Sequence, residues 1–298
     1  MLIPEDAMLP FDLPAPQGHS IHPLWDGRNF VFGGMRSPVL EYSENFAGWS
    51  DELCMLHDEP TGDSHPIPLA SRKDALLQVG KFMPSSKAVM MEIGSSVGFL
   101  VRDLVKSFPE ATIIGSDVVK APLYHIAKNF PGIPLIRFDL LQCPLPDQSV
   151  DVLIMLNVLE HIEDDTKALQ IAFNLLKPGG ALIIEVPAFQ GLYDAYDEEL
   201  HHFRRYSPRD LYAKLTKTGF KVARRSCLGF VVFPAFMAVK LFRKWFSAKE
   251  HKTVFSCQED GISRNRLVRW AMTFEFRYLS GFQLPFGIRV LAVAVKKG

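Results

Sequence analysis

From residue 88 onward, short and almost wholly apolar runs alternate with stretches whose apolar positions recur every three or four residues. Ala88–Ile93, Ala111–Ile114, Pro134–Phe138, Val150–Leu156 and Ala181–Val186 are the apolar runs, and each predicts a strand. Between them, Leu100, Val101, Leu104, Val105 and Phe108 mark one face of a helix, and Ala121–Phe130 and Thr166–Leu176 predict two more. The last of these closes on Lys177-Pro178-Gly179-Gly180. Strands of nearly continuous Ile, Leu and Val alternating with helices predict an α/β domain with a mostly parallel sheet covered on both faces. Ser207-Pro208 then opens a helix, with serine as the cap and proline in the first turn. Phe220–Ala223 and Ile288–Val295 predict the closing strands, with an insertion over 228–285 between them. Ahead of the alternating region the pattern weakens. The first 23 residues hold five prolines and predict an extended arm. Residues 41–57 and 70–83 predict helices, the second opened by Ser71 with Asp74 three residues on, as in a capping box. The expected division is 1–85 for an arm and helical cap, 86–227 for the α/β core, 228–285 for a helical insertion or lid, and 286–298 for the last core strand.

Composition narrows the partners. The 298 residues include 33 Lys plus Arg and 33 Asp plus Glu, so the chain has no basic surplus with which to neutralise nucleic-acid phosphates. Cys54, Cys143, Cys227 and Cys257 form no CxxC pair, which argues against a zinc knuckle or disulfide framework and fits a reducing cytoplasm. Glu5 and Asp6 near the start, without a basic-then-apolar run, predict no signal peptide. The longest apolar run, Leu228–Val239, is about 12 residues against the roughly 20 that a bilayer requires.

The first chemistry lies at Glu92-Ile93-Gly94-Ser95-Ser96-Val97-Gly98, where a predicted strand turns into a helix. In an open parallel sheet, ligands bind at such strand ends, and glycine lets the backbone approach them closely. A dinucleotide fingerprint would need glycines at positions held here by Ser96 and Phe99, so NAD is disfavoured. The stretch instead resembles E-x-G-x-G-x-G, the first motif of class I S-adenosylmethionine-dependent methyltransferases, with serine at the middle glycine. The resemblance covers residues 86–225. Asp117, ending the second strand, matches the family's ribose-binding acid, and Asp139-Leu140 matches its adenine site. Asn157 matches the segment beside the methionine portion, and Leu176–Gly180 the helix-to-strand turn. The resemblance therefore implies a Rossmann-like seven-stranded sheet and S-adenosyl-L-methionine as cofactor, bound by Glu92, Gly94, Ser96, Gly98, Asp117, Asp139, Leu140 and Asn157.

Methyl transfer needs an acceptor held in line and a place for its proton. Glu160-His161 follows the fourth strand, and Leu200-His201-His202-Phe203-Arg204-Arg205-Tyr206-Ser207 follows the fifth, so both overhang the expected methyl position. The second segment resembles the H-x-R-R-Y-S signature of methyltransferases encoded among sugar and polysaccharide enzymes. Three alternatives stay open. His161, His202 or His201 acts as general base; Glu160, His161 and His202 hold a divalent metal, as resemblance to ubiquinone and small-RNA O-methyltransferases implies; or these groups merely cap a helix and order a loop. Arg204 and Arg205 grip an acceptor phosphate or carboxylate, or pair with Asp197, Glu198 or Glu199. His65 is expected in the cap over the cofactor and His125 on the surface.

The expected function is cytoplasmic O-methylation of a small-molecule or saccharide acceptor, lipid-linked acceptors included. The alternatives are a non-catalytic S-adenosylmethionine-binding module and a metal-assisted O-methyltransferase of a quinone or RNA end. In the insertion, Phe233, Phe236, Met237, Leu241, Phe242, Trp245 and Phe246 lie at short spacings with Lys240, Arg243 and Lys244 near the end. Further on, Arg264, Arg266, Arg269 and Arg277 interleave with Leu267, Trp270, Phe274 and Phe276. That composition suits helices packed on the sheet, a homodimer interface, or a peripheral membrane contact through 228–247.

Overall fold

The computed structural model describes residues 9–43, 63–246 and 265–298, with side chains up to Phe242 in the second stretch. The expected helix at 41–57 from residue 44 onward, Cys54, Cys257, Arg264 and the side chains of Arg243, Lys244, Trp245 and Phe246 lie outside this description.

Eleven described strands and eight α-helices follow in order. The N-terminal part contains β1 (Leu24–Trp25), β2 (Phe30–Phe32), β3 (Met35–Ser37), β4 (Val39–Glu41) and α1 (Pro66–Phe82). The core continues with β5 (Val89–Ile93), α2 (Phe99–Ser107), β6 (Thr112–Asp117), α3 (Lys120–Asn129), β7 (Leu135–Arg137), β8 (Val150–Leu156), α4 (Asp165–Leu175) and β9 (Leu176–Pro187). After it come α5 (Ala195–Glu199), α6 (Pro208–Thr218), β10 (Phe220–Leu228), α7 (Phe233–Phe246), α8 (Arg266–Phe274) and β11 (Arg289–Lys296).

The main sheet has eight strands in the order β10-β11-β9-β8-β5-β6-β7-β4. β4 through β9 pair in parallel, and β11 runs antiparallel between β9 and β10. Every residue of β5 is buried. Val89, Met91 and Ile93 face one apolar cluster and Met90 the other, which is why the run is continuous rather than alternating. Leu100, Val101 and Leu104 of α2 cover one face, and Ala168, Leu169 and Ala172 of α4 cover the opposite one. The chain steps one way from β5 to β7 and the other way from β8, so the switch point lies between β5 and β8. Ligands of such sheets bind there, outside the carboxyl ends of the strands.

The N-terminal part departs from expectation. Residue 41 ends a strand: β4 adds to the edge of the sheet beside β7, making an eighth strand where the resemblance implied seven. β1, β2 and β3 form a small antiparallel sheet, with Trp25, Phe30 and Phe32 packed into the larger cluster. Gly33 and Gly34, both at positive φ, make its tight turn. The described part of the N-terminal cap is therefore β as well as helical. α1 begins at Pro66, capped by His65 Nδ1 accepting from the Ile67 amide, and not at Ser71. Ser71 and Asp74 sit inside the helix because their polar groups have partners across the sheet. Ser71 Oγ donates to Glu185, and Asp74 takes both nitrogens of Arg224 at 3.0 Å. The cap of α6 is as expected, with Ser207 Oγ accepting from the Asp210 amide at 3.1 Å. Among the described residues, no helix is long and apolar enough to cross a membrane.

Candidate active site

A cavity of about 710 Å³ opens at the switch point, within the size range of small-molecule and cofactor sites. One end is formed by the β5–α2 turn. Gly94 and Gly98 have φ of 77° and 85°. A Cβ on Gly94 would sit 2.6 Å from Val158 Cγ2, and one on Gly98 2.6 Å from Ile126 Cγ1, so both positions need glycine for conformation and for space. Ser96 between them also has a positive φ, 43°, where the family pattern places glycine. Gly94 and Ser95 donate their amides to the Ser116 carbonyl, and Ser96 donates its amide to Asp117 Oδ2 at 2.9 Å. The loop is thereby bound to the end of β6.

Asp117 Oδ1 accepts from the Val119 amide at 3.0 Å. Asp139 caps the 3-10 turn Leu140–Gln142 through the Leu141 amide, and Leu140 is buried beneath it. Glu92 is fully buried, and burial pushes its carboxyl up to about 8, with the Asp117 charge adding to the rise against an opposing hydrogen bond from Ser95. Among the described residues its Oε2 has no hydrogen-bond partner. Asn157 directly follows β8 at φ 54°, its amide donating to the Glu185 carbonyl at 2.9 Å. All eight residues expected at the cofactor line this one cavity.

The other end is built from the 3-10 turn Leu159–His161 and the segment around α5. The Phe203 amide donates to the Glu160 carbonyl at 2.8 Å, tying the two together. His202 Nδ1 lies 2.8 Å from Asp197 Oδ1. Asp197 is fully buried and also meets Arg205 Nε at 2.8 Å and Lys240 Nζ at 3.5 Å. Burial alone would raise its carboxyl, but the His202 hydrogen bond and the Arg205 guanidinium outweigh that and hold it well below the usual range. An ionised carboxylate can only accept, so Nδ1 carries the hydrogen and Nε2 is the basic nitrogen of His202.

His161 and His202 meet edge to face with ring centroids 4.6 Å apart. Ligand atoms of Glu160, His161 and His202 all lie within 4.8 Å of one another. Glu160 is fully buried, burial raises its carboxyl to about 8, and among the described residues neither oxygen has a hydrogen-bond partner. His201 lies at the cavity rim, exposed, with φ 54°. Arg205 lines the cavity but is clamped on Asp197, whereas Arg204 lies outside it, paired with Asp165 at 2.9 Å and donating to the Glu163 carbonyl. Arg205 thus takes one of the expected acidic partners, Asp197, whereas the partner of Arg204, Asp165, is not among Asp197, Glu198 and Glu199. His65 lines the cavity from the cap of α1. Two residues at this end are not foreseen from the sequence: Asp197 as the partner of His202, and Lys240, which reaches the cavity from α7. Asp194 and Asp197 have the spacing of a capping box, which marks the start of α5 but carries no signal of the contact with His202.

Residues 91–184 match a family model described as a methyltransferase domain. A Mycolicibacterium smegmatis protein, the "probable S-adenosylmethionine-dependent methyltransferase", is 28% identical over 138 residues, covering 45% of this chain and 52% of that protein. The trans-aconitate 2-methyltransferase of an Azoarcus species is 27% identical over 128 residues, covering 43% of this chain and 48% of its own length. This chain thus spans about half the length of these curated relatives. Among solved structures, Haemonchus contortus phosphoethanolamine N-methyltransferase 2, in complex with phosphomonomethylethanolamine and S-adenosylhomocysteine, shares the fold. It is 15% identical with a TM-score of 0.55, over 97% of this chain and 72% of that one. The domain match, the strand order and the glycine turn agree, and they identify a class I S-adenosylmethionine-dependent methyltransferase domain over residues 91–184.

Proposed function

We propose that the protein methylates an oxygen of a small-molecule or saccharide acceptor, using S-adenosyl-L-methionine, with His202 as general base. The observation that carries this reading is the Asp197–His202 pair within the same cavity as the glycine turn. The residues present fit the cofactor. Glu92 Oε2, buried and lacking a partner among the described residues, suits the ammonium group, and the turn at Gly94, Ser96 and Gly98 gives close backbone approach. Asp117 suits the ribose hydroxyls, Asp139 and Leu140 the adenine, and Asn157 the methionine portion. When bound, the cofactor supplies an electrophilic methyl on a sulfonium centre. Nε2 of His202 takes the acceptor's hydroxyl proton, Asp197 fixes the ring and its tautomer, and His161 packs edge-on against it. Arg205 keeps Asp197 ionised, and His201 sits at the entrance. Residues 86–227 and 286–298 would supply the catalytic core, with α1 and α7 contributing His65, Ser71, Phe236 and Lys240 to the cavity wall.

A second reading has a specific observation in its favour. Glu160, His161 and His202 could hold a divalent metal, since the buried carboxyl would gain a partner and Asp197 would orient a ligating histidine from behind. Transfer of labelled methyl to a panel of hydroxylated small molecules and sugar lipids tests both. His202→Ala is expected to lower turnover about 10²–10⁴-fold with S-adenosylhomocysteine affinity intact and chelator without effect. Turnover abolished by chelator and restored by a divalent cation selects the metal reading. Unchanged turnover in His202→Ala rejects both roles for that histidine, and no turnover in the wild type favours a silent binding module.

A further inference from the structure

The outward faces of two helices are apolar where a water-facing helix ordinarily carries charge. On α7, Phe233 packs inward against Phe189 and Phe286, with ring centroids 5.4 and 5.5 Å away. Phe236 and Lys240 line the cavity. Lys240, the helix's only charged residue before Arg243, is buried against Asp194 at 2.6 Å. What remains outward is Met237, Val239, Leu241 and Phe242, each 38–62% exposed. On α8, Ala271 and Met272 are buried, and Glu275 just beyond turns back to accept from the Gly229 and Val231 amides at 2.7 and 2.9 Å. Leu267, Trp270, Phe274 and Tyr278 form its outer ladder, with Trp270 against Phe274 at 5.5 Å and Phe274 against Tyr278 at 5.1 Å. Arg266, Arg269 and Arg277 are exposed beside that ladder. Both helices rise from one small cluster, in which Val232 and Val268 pack on Leu228 and Met272.

We propose that the outer faces of α7 and α8 dock on an anionic lipid bilayer. Charge complementarity chooses this occupant. Across residues 228–246 and 265–298, Glu275 is the only acid, and it is buried. Among the described residues of these two stretches, the surface therefore offers apolar, aromatic and cationic groups and no exposed carboxylate. A protein interface has a polar rim of mixed character. An interfacial helix instead combines aromatic and aliphatic side chains with arginine facing the head groups, and Trp and Tyr favour that depth. Because α7 also lines the cavity, docking would place the acceptor site beside the bilayer. The acceptor class is then an amphiphile whose polar head enters the cavity.

Co-sedimentation with vesicles of phosphatidylcholine and phosphatidylglycerol, against phosphatidylcholine alone, tests this. The wild type is expected to bind only the anionic vesicles and to dissociate as salt rises. Trp270→Ser with Tyr278→Ser should weaken partitioning at least about tenfold. Arg266→Gln, Arg269→Gln and Arg277→Gln together should weaken it about 100-fold. Calorimetric affinity for S-adenosylhomocysteine, measured on the same samples, should not change, which checks folding and separates this proposal from the methyltransfer reading. The salt dependence of the wild type is a second readout that needs no variant. Wild-type protein left in the supernatant at low salt overturns the proposal, as does equal binding by the variants. Chromatography showing a dimer that the aromatic variant dissociates, without vesicle binding, would assign the surface to a second copy of the chain.

Discussion

Glu92 lies one residue before the end of β5 with its carboxyl buried, and burial lifts it from an ordinary 4.5 to about 8. The folded protein without ligand therefore holds this proton more tightly than the unfolded chain does. The resulting stability is complete below about 4.5 and is lost as pH rises towards about 8. Glu92→Gln should flatten this loss while preserving shape. Urea unfolding at about pH 5 and about pH 8 would check it, since a tenfold change in proton affinity between folded and unfolded chains is worth about 1.36 kcal/mol. An identical pH slope in wild type and variant would contradict the assignment. Glu92 and Asp117 are legible in the sequence because each lies at or next to a strand end, at a fixed distance from a glycine turn. The Asp197–His202 contact is not, because it depends on an irregular path through His201 at φ 54°, which no hydrophobic period encodes.

Among the elements, the β5–α2 turn has the strictest geometry. Gly98→Ala would meet both a left-handed φ and Ile126 Cγ1 at 2.6 Å. It should lower stability by about 1–3 kcal/mol and weaken cofactor-product binding. Gly191→Ala, with nothing within 4 Å, is the control expected to be silent. Equal denaturation midpoints for the two variants would show that the turn is not built this way. The core strands are readable because both of their faces are buried, so their apolar runs are unbroken. The start of α1 is misplaced from sequence because Ser71 and Asp74 have the spacing of a cap while serving Glu185 and Arg224. β1 to β4 are two or three residues long and give no period at all, the Gly33-Gly34 pair being their one signal.

In the whole molecule, the switch point between β5 and β8 brings together two groups of residues that lie more than a hundred positions apart in sequence, the glycine turn and His202. The parallel order predicts where a cofactor lies. It does not predict which side chains cover it, since Phe236 and Lys240 of α7 and the Asp197–His202 pair reach the site through long-range packing. Everything proposed for the site requires the cofactor to occupy the end of the cavity nearest Asp117. Titration calorimetry of S-adenosylhomocysteine into wild type and Asp117→Ala measures this most directly. The expected result is a single site in the wild type, and a loss of about 2–4 kcal/mol in a folded Asp117→Ala variant. No binding by the wild type, or unchanged affinity in the folded variant, would contradict it.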